Sequence, residues 1–141
     1  VIIVEPARAW SQDLEDAAAR LLPQLSPRTP PDRAALEELL ADPQATLLAA
    51  RAGDEIVGIA VLALHRRLTH LTARLEDVVV DEPARGQGVG EALVAAAIDE
   101  ARRRGSPEIE LRSAPRREAA NRLYPRLGFR LHDSNVYVRQ L

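Results

Sequence analysis

The residues that could do chemistry cluster in one stretch, from Glu76 to Glu91. Two adjacent carboxylates, Glu76 and Asp77, open it. Val78, Val79 and Val80 follow, and then the run Arg85-Gly86-Gln87-Gly88-Val89-Gly90. A β-branched run that meets a Gly-rich turn and then an alanine-rich segment reads as strand, turn and helix start. The three glycines carry no Cβ, so backbone N–H groups can approach a ligand closely. The helix that starts there has four unpaired donors and the positive end of its dipole. That combination binds anions and suits a pyrophosphate. Taken alone it also fits a tight turn with no ligand.

Absences narrow the chemistry. The 141 residues include no Cys, no Met and no Lys, and all 19 basic side chains are Arg. Without Cys there is no thiol nucleophile, acyl-cysteine, disulfide or Cys-ligated metal. Without Lys there is no Schiff base, and no P-loop, which needs Lys on the phosphates. The dinucleotide pattern G-x-G-x-x-G fails because Glu91 and Leu93 stand where its third glycine belongs. His65, His70 and His132 are scattered without metal-ligand spacing, so no metal site is expected. A net charge of −2 gives no pull toward nucleic acid or anionic membrane. The Arg102-Arg103-Arg104 run reads as a solvated helix end. No signal peptide or bilayer-length apolar run occurs, so a cytoplasmic protein is expected. Lacking Met, the chain lacks a start residue, and Val1 is expected to follow further residues, either trimmed away or not included in this sequence.

These residues need a scaffold, and the rest of the chain supplies its pattern. With 46% apolar residues, the length suits one domain over 1–141 with a real core. Strands are expected at Ile2–Val4, Thr46–Arg51, Ile56–His65, Thr72–Val80, Glu108–Arg112, Phe129–Leu131 and Val136–Arg139. The first helix is capped by Ser11 and carries Leu14, Ala17, Ala18, Leu21 and Leu22 at helical spacing up to Pro23. A second starts at Asp32 and stops before Pro43; a third runs from the glycine turn to about Arg104; a fourth spans Pro115 to about Arg126. Residues 52–55 close a hairpin between the second and third strands. The order β-α-α-β-β-β-α-β-α-β-β implies one α/β domain.

The loop reads R-x-x-G-x-G, and a second stretch reads Asn121-Arg122-Leu123-Tyr124-Pro125-Arg126-Leu127-Gly128-Phe129, about thirty residues later. In this order and context, the chain resembles the GCN5-related N-acetyltransferase (GNAT) superfamily, whose acyl-CoA pyrophosphate loop and late N-x-L-Y-x-x-x-G-F segment have these patterns. Leu75 to Val80 also looks like the branch that acetylates small amines, including amino-sugar phosphates. The resemblance covers almost the whole chain. It implies a mixed sheet splayed between its two central strands where acetyl-CoA enters.

The resemblance also implies the chemistry: direct acetyl transfer from acetyl-CoA to an amine, which needs no Cys. The backbone of Gly86, Gln87, Gly88, Val89, Gly90 and Glu91 would hold the diphosphate, with Arg85 adding a charged contact or lying in solvent. Val78, Val79 and Val80 would pair with the pantetheine arm as another strand does, the Val78 amide bonding the thioester oxygen. Tyr124 would be the general acid for the thiolate, and Asn121 a cofactor contact or a local cap or bridge. In a regular strand, Glu76, Val78 and Val80 share one face, which makes Glu76 the expected general base. Asp77 is the alternative, because a β-bulge would exchange the faces. Arg117 stands where other members carry Asn, and Pro125 biases Tyr124 away from helical geometry. The expected acceptor is a small amine or peptide, its pocket shaped by Ser26–Asp32 and Arg66–Thr72. Arg28, Arg33, Arg66, Arg67 and Arg74 hint at an anionic acceptor. The terminal strands offer an edge for a homodimer. The competing reading is a catalytically silent acyl-CoA-binding sensor.

Overall fold

The computed structural model describes residues 1–141. Five strands form one sheet in the order β1-β2-β3-β4-β5: Ile2–Ala7, Ala45–Ala52, Glu55–Arg66, Leu71–Val80 and Ile109–Leu111. The first four pair antiparallel; β4 and β5 run parallel. The crossover between β4 and β5 is α3, Val89–Arg103. The other helices are α1, Gln12–Leu21, α2, Arg33–Ala41, and α4, Glu118–Arg126. No helix is long and apolar enough to cross a membrane.

Local sequence explains the helix starts. Ser11 Oγ accepts from the Leu14 N–H, and Asp32 Oδ1 accepts from the Ala35 N–H, so both caps satisfy a donor that the helix cannot. Period-two strands then divide the apolar residues between two faces. Leu14, Ala17 and Leu21 of α1 and Leu36 of α2 pack on Leu47, Ala49, Ile56, Ile59 and Val79. On the other face, Val89, Leu93, Val94, Ala97 and Ala101 of α3, with Tyr124 of α4, cover Leu48, Ala50, Ala60, Leu62, Ala73 and Leu75. Gly58 sets how closely α3 sits. A Cβ there would lie 2.9 Å from Val89 Cγ1, 3.0 Å from Leu93 Cδ1 and 3.3 Å from the Val79 carbonyl oxygen.

Two departures from regular pairing create the site. The first is that β5 pairs with β4 only from Ala73 to Leu75, against Ile109 to Leu111. From Glu76 to Val80 one edge of β4 has no strand beside it, which is the expected splay. The second is a β-bulge. Val61 faces Glu76 and Ile59 faces Val79, so three steps on β4 match two on β3. Asp77 absorbs the extra residue at φ +54°, a left-handed conformation that Asp tolerates better than most side chains.

The bulge overturns the expectation of a regular strand. Glu76 falls out of phase with Val78 and Val80, which pack on the α3 face with Leu75, whereas Val79 faces α1. The chain end also differs from expectation. Phe129–Leu131 and Val136–Arg139 form no strands, and beyond Phe129 the only backbone hydrogen bond is from the Ser134 N–H to the His132 carbonyl. The three-residue β5 offers a new strand little ladder, and the intervening His132-Asp133-Ser134-Asn135 is polar. The expected edge for a homodimer is accordingly not formed.

Candidate active site

A cavity of about 550 Å³ opens where β4 and β5 part. Its floor is Val78, Val79 and Val80; its walls are the turn and first residues of α3, and α4 with Tyr124. The strand edge in this cavity is identifiable from its hydrogen bonds. The Asp81 N–H bonds the Val57 carbonyl on the β3 side. Backbone groups alternate along a strand, so those of Val78 and Val80 point into the gap. Their carbonyls bear this out: Val80 O accepts from Arg85 Nε at 3.1 Å and Val78 O from Arg117 Nη2 at 3.4 Å.

The glycine turn lies at one end. Gly86 and Gly88 hold φ of +78° and +82°, and Gly88 is the left-handed residue that begins α3. A Cβ at either would meet nothing within 4 Å, so the backbone there is bare toward open space. Val89, Gly90 and Glu91 are the first helical residues, where N–H groups lack partners within the helix. This is the fit that an anionic diphosphate needs.

The approach to the turn is held from α1 and the 3₁₀ turn, Leu22–Gln24, that follows it. Asp81, with its side chain 12% exposed, accepts from Arg20 Nε at 3.1 Å and from Gln24 Nε2 at 3.0 Å. The Gln24 carbonyl oxygen in turn accepts from the Glu82 N–H and from Arg85 Nη2. The Gln24 hydrogen bond, then Arg20 and the Glu82 amide, hold the Asp81 carboxyl below the usual range against the opposing effect of burial. Arg85 is thus fixed by Val80 and Gln24, with its guanidinium lining the cavity.

On the α4 wall is Tyr124, 7% exposed, with its ring edge-on to Phe129 at 5.8 Å. Burial pushes its phenol up from the ordinary value, while nearby Arg117 pulls it partly back. Pro125 does not end α4: the helix runs to Arg126 and closes on Gly128 at φ +93°, with the Phe129 N–H bonded to the Tyr124 carbonyl. The bias expected from Pro125 is overridden by this cap and by the packing of Tyr124.

Of the residues singled out in the sequence, Val78, Val79, Val80, Arg85, Gly86, Gly88, Val89, Gly90, Glu91 and Tyr124 line this one cavity. Gln87 and Asn121 do not. Gln87 donates to the Pro83 carbonyl, and Asn121 Nδ2 donates to the carbonyls of Ala114 and Arg117, the local bridge that was its alternative role. Glu76 Oε1 lies 3.6 Å from Arg74 Nε, and Arg74 also bonds Glu110 at 2.7 Å. Asp77 has no ion pair and lines a second cavity, between the sheet and α1 and α2. Arg20, Gln24, Asp81 and Arg117 were not foreseen as parts of the site.

Comparison with known proteins agrees with this geometry. The model of the Acetyltransferase (GNAT) family matches residues 11–129. The chain is 34% identical over 93 residues to an aminoalkylphosphonate N-acetyltransferase of Salmonella typhimurium, over 64% of this chain and 60% of that protein. It is 36% identical over 84 residues to a glucosamine 6-phosphate N-acetyltransferase of Trypanosoma brucei brucei, over 57% of this chain and 55% of that one. The matches thus span little more than half of those relatives. A crystal structure described as a transcriptional regulator from Bacillus halodurans superposes with a TM-score of 0.85 at 28% identity, over 99% of this chain and 100% of the other.

Proposed function

The chain belongs to the Acetyltransferase (GNAT) family, and from that membership we propose that it transfers an acetyl group from acetyl-CoA directly to a primary amine of a small molecule or peptide in the cytoplasm. The observation that carries the reading is the half-paired β4, with two backbone carbonyls turned into a cavity that is also lined by a bare glycine turn and a buried tyrosine. An extended pantetheine arm complements that edge as a strand would.

Each residue then has a task. The Gly86–Glu91 backbone holds the diphosphate, and Arg85 adds charge. The Val78 amide polarises the thioester carbonyl where water is excluded. Tyr124 gives its phenolic proton to the departing thiolate, and burial keeps that proton in place until then. Arg117, between Val78 and the Tyr124 side of the cavity, stabilises the negative charge that develops there. The ammonium proton goes to one of two adjacent carboxylates. We assign it to Asp77, because Asp77 lines the cavity on the α1–α2 side and Glu76 is engaged by Arg74. Metal plays no part in this scheme.

The test is release of CoA thiol from acetyl-CoA across a panel of amines. On the best acceptor, Asp77→Asn and Tyr124→Phe should each lower kcat by about 100-fold, the usual scale of acid–base assistance. Glu76→Gln should lose far less; the reverse ranking returns the base to Glu76, the residue expected from a regular strand. The second reading, a silent acyl-CoA sensor, is favoured by the description of the Bacillus halodurans structure as a transcriptional regulator. Saturable CoA binding without thiol release on any amine would establish it. Absence of CoA binding at millimolar ligand would overturn both.

A further inference from the structure

We infer that the acceptor is a primary amine carried on an apolar body, bound in the cavity between the sheet and α1–α2. This rests on the reading above, that the chain acetylates an amine on that side of β4. The cavity measures about 390 Å³, within the range of small-ligand pockets. Leu14 and Leu22 come from the α1 side, Leu36 and Leu39 from α2, and Ile59 and Val61 from β3. Asp77 is the one ionisable residue in the lining, and the bulge puts it there.

The lining separates two chemical classes. A cation meets a carboxylate, and its aliphatic or aryl body meets hydrocarbon. An anion meets the opposite, because no arginine lines the cavity. The arginines that the sequence offered for an anionic acceptor are not there. Arg33 lies 3.8 Å over the Trp10 ring and pairs with Glu37, and Arg74 pairs with Glu76 and Glu110. Arg20 is bound to Asp81. A phosphate or phosphonate there would find the Thr29 hydroxyl as its one side-chain donor and the Asp77 carboxylate against it, and so pays most of its desolvation cost.

The balance of the step is simple. The ammonium gives one proton to Asp77, its nitrogen forms the bond to the acetyl carbon, and the C–S bond breaks. The thiolate takes the Tyr124 proton, and a second proton from the nitrogen restores Tyr124 through solvent. The net change is amine plus acetyl-CoA to amide plus CoA thiol, with the proton held by Asp77 passing to water.

The test ranks 2-phenylethylamine and isoamylamine against 2-aminoethylphosphonate and glucosamine 6-phosphate by kcat/KM in the thiol-release assay. We expect the apolar amines to lead by about 100-fold or more, the scale by which a pocket rejects a group that it cannot pair. In parallel, 2-phenylethylamine is titrated calorimetrically into the protein saturated with CoA, with and without Asp77→Asn. Binding that weakens at least about 10-fold in Asp77→Asn supports the inference. Leu39→Arg should narrow the ranking toward the phosphonate; if that variant does not fold, the wild-type ranking and titration still decide. Equal or better turnover of the phosphorylated or phosphonylated amines would overturn the apolar acceptor and leave acetyl transfer standing. No turnover of any amine would overturn acetyl transfer itself, and the calorimetric arm would then judge the cavity alone.

Discussion

Substituting Gly58 by Ala probes how α3, and with it the glycine turn, is seated on the sheet. The new Cβ would stand 2.9 Å and 3.0 Å from Val89 and Leu93 methyls and 3.3 Å from a backbone oxygen. Val89 is 1% exposed and Leu93 0%, so neither has free space to retreat into. Overpacking of this kind costs about 1–3 kcal/mol, and replacing Gly in a strand returns about 0.5–1 kcal/mol. The midpoints of the two ranges leave a net loss of about 1 kcal/mol, which lowers Tm by about 3–4 °C at this chain length. Circular dichroism melts and urea midpoints at constant m read it directly. The same displacement moves Val89, the first residue of α3, so CoA affinity by calorimetry should fall by about 3–10-fold. Gly90→Ala is the contrast, because its Cβ would find nothing nearer than 3.6 Å. That variant should fold with a gain of about 0.5 kcal/mol from helix propensity. A Gly58→Ala melt within 1 °C of wild type, at the resolution of the assay, would refute the packing argument. A destabilised variant with unchanged CoA affinity would refute the link from packing to the turn.

Two other measurements follow from the charged groups. The depressed Asp81 carboxyl contributes stability that is present above its unfolded pKa, near 4, and is lost as pH falls through its lower folded value. Asp81→Asn should therefore lower the urea midpoint at pH 6, and the gap to wild type should close toward pH 2–3; a gap independent of pH would show that the carboxylate charge is not what matters. For the raised phenol of Tyr124, ultraviolet titration in a Tyr137→Phe background isolates its signal. Ionisation should come above pH 10 and move higher still in Arg117→Ala, whose guanidinium favours the phenolate. An unchanged or lower titration in that variant would remove Arg117 from the environment of Tyr124.

The parts of the fold that were readable are those decided within a few residues. Ser11 and Asp32 cap the helices they precede, and Gly86 and Gly88 take the left-handed values that a bare turn requires. The resemblance supplied the splay and the place of Tyr124. What the sequence did not disclose depends on partners far along the chain. The bulge at Asp77 exists only as a mismatch between β4 and β3, so counting alternate residues from Leu75 misassigns every face beyond Glu76. Asp81 reads as a turn residue until α1 and the 3₁₀ turn after it bring Arg20 and Gln24, 61 and 57 positions away, against it. Arg117 reads as a lost asparagine until α4 is docked and its guanidinium reaches Val78. The β-branched residues of 129–141 promise strands, but propensity alone makes no ladder where the neighbouring strand is three residues long.

The Gln24 carboxamide has a thermodynamic consequence. It grips Asp81, Glu82 and Arg85 on the glycine-turn side, while Leu22, two residues earlier, walls the apolar cavity on the other side of β4. The short segment from Leu22 to Gln24 therefore borders both cavities, one through each end. Coupling through such a joint is reciprocal: whatever factor a bound cofactor imposes on acceptor affinity, a bound acceptor imposes on the cofactor. If the two cavities are coupled through this segment, Gln24→Ala should bring the factor measured by calorimetry toward one in both orders of addition; an unchanged factor would place the coupling elsewhere.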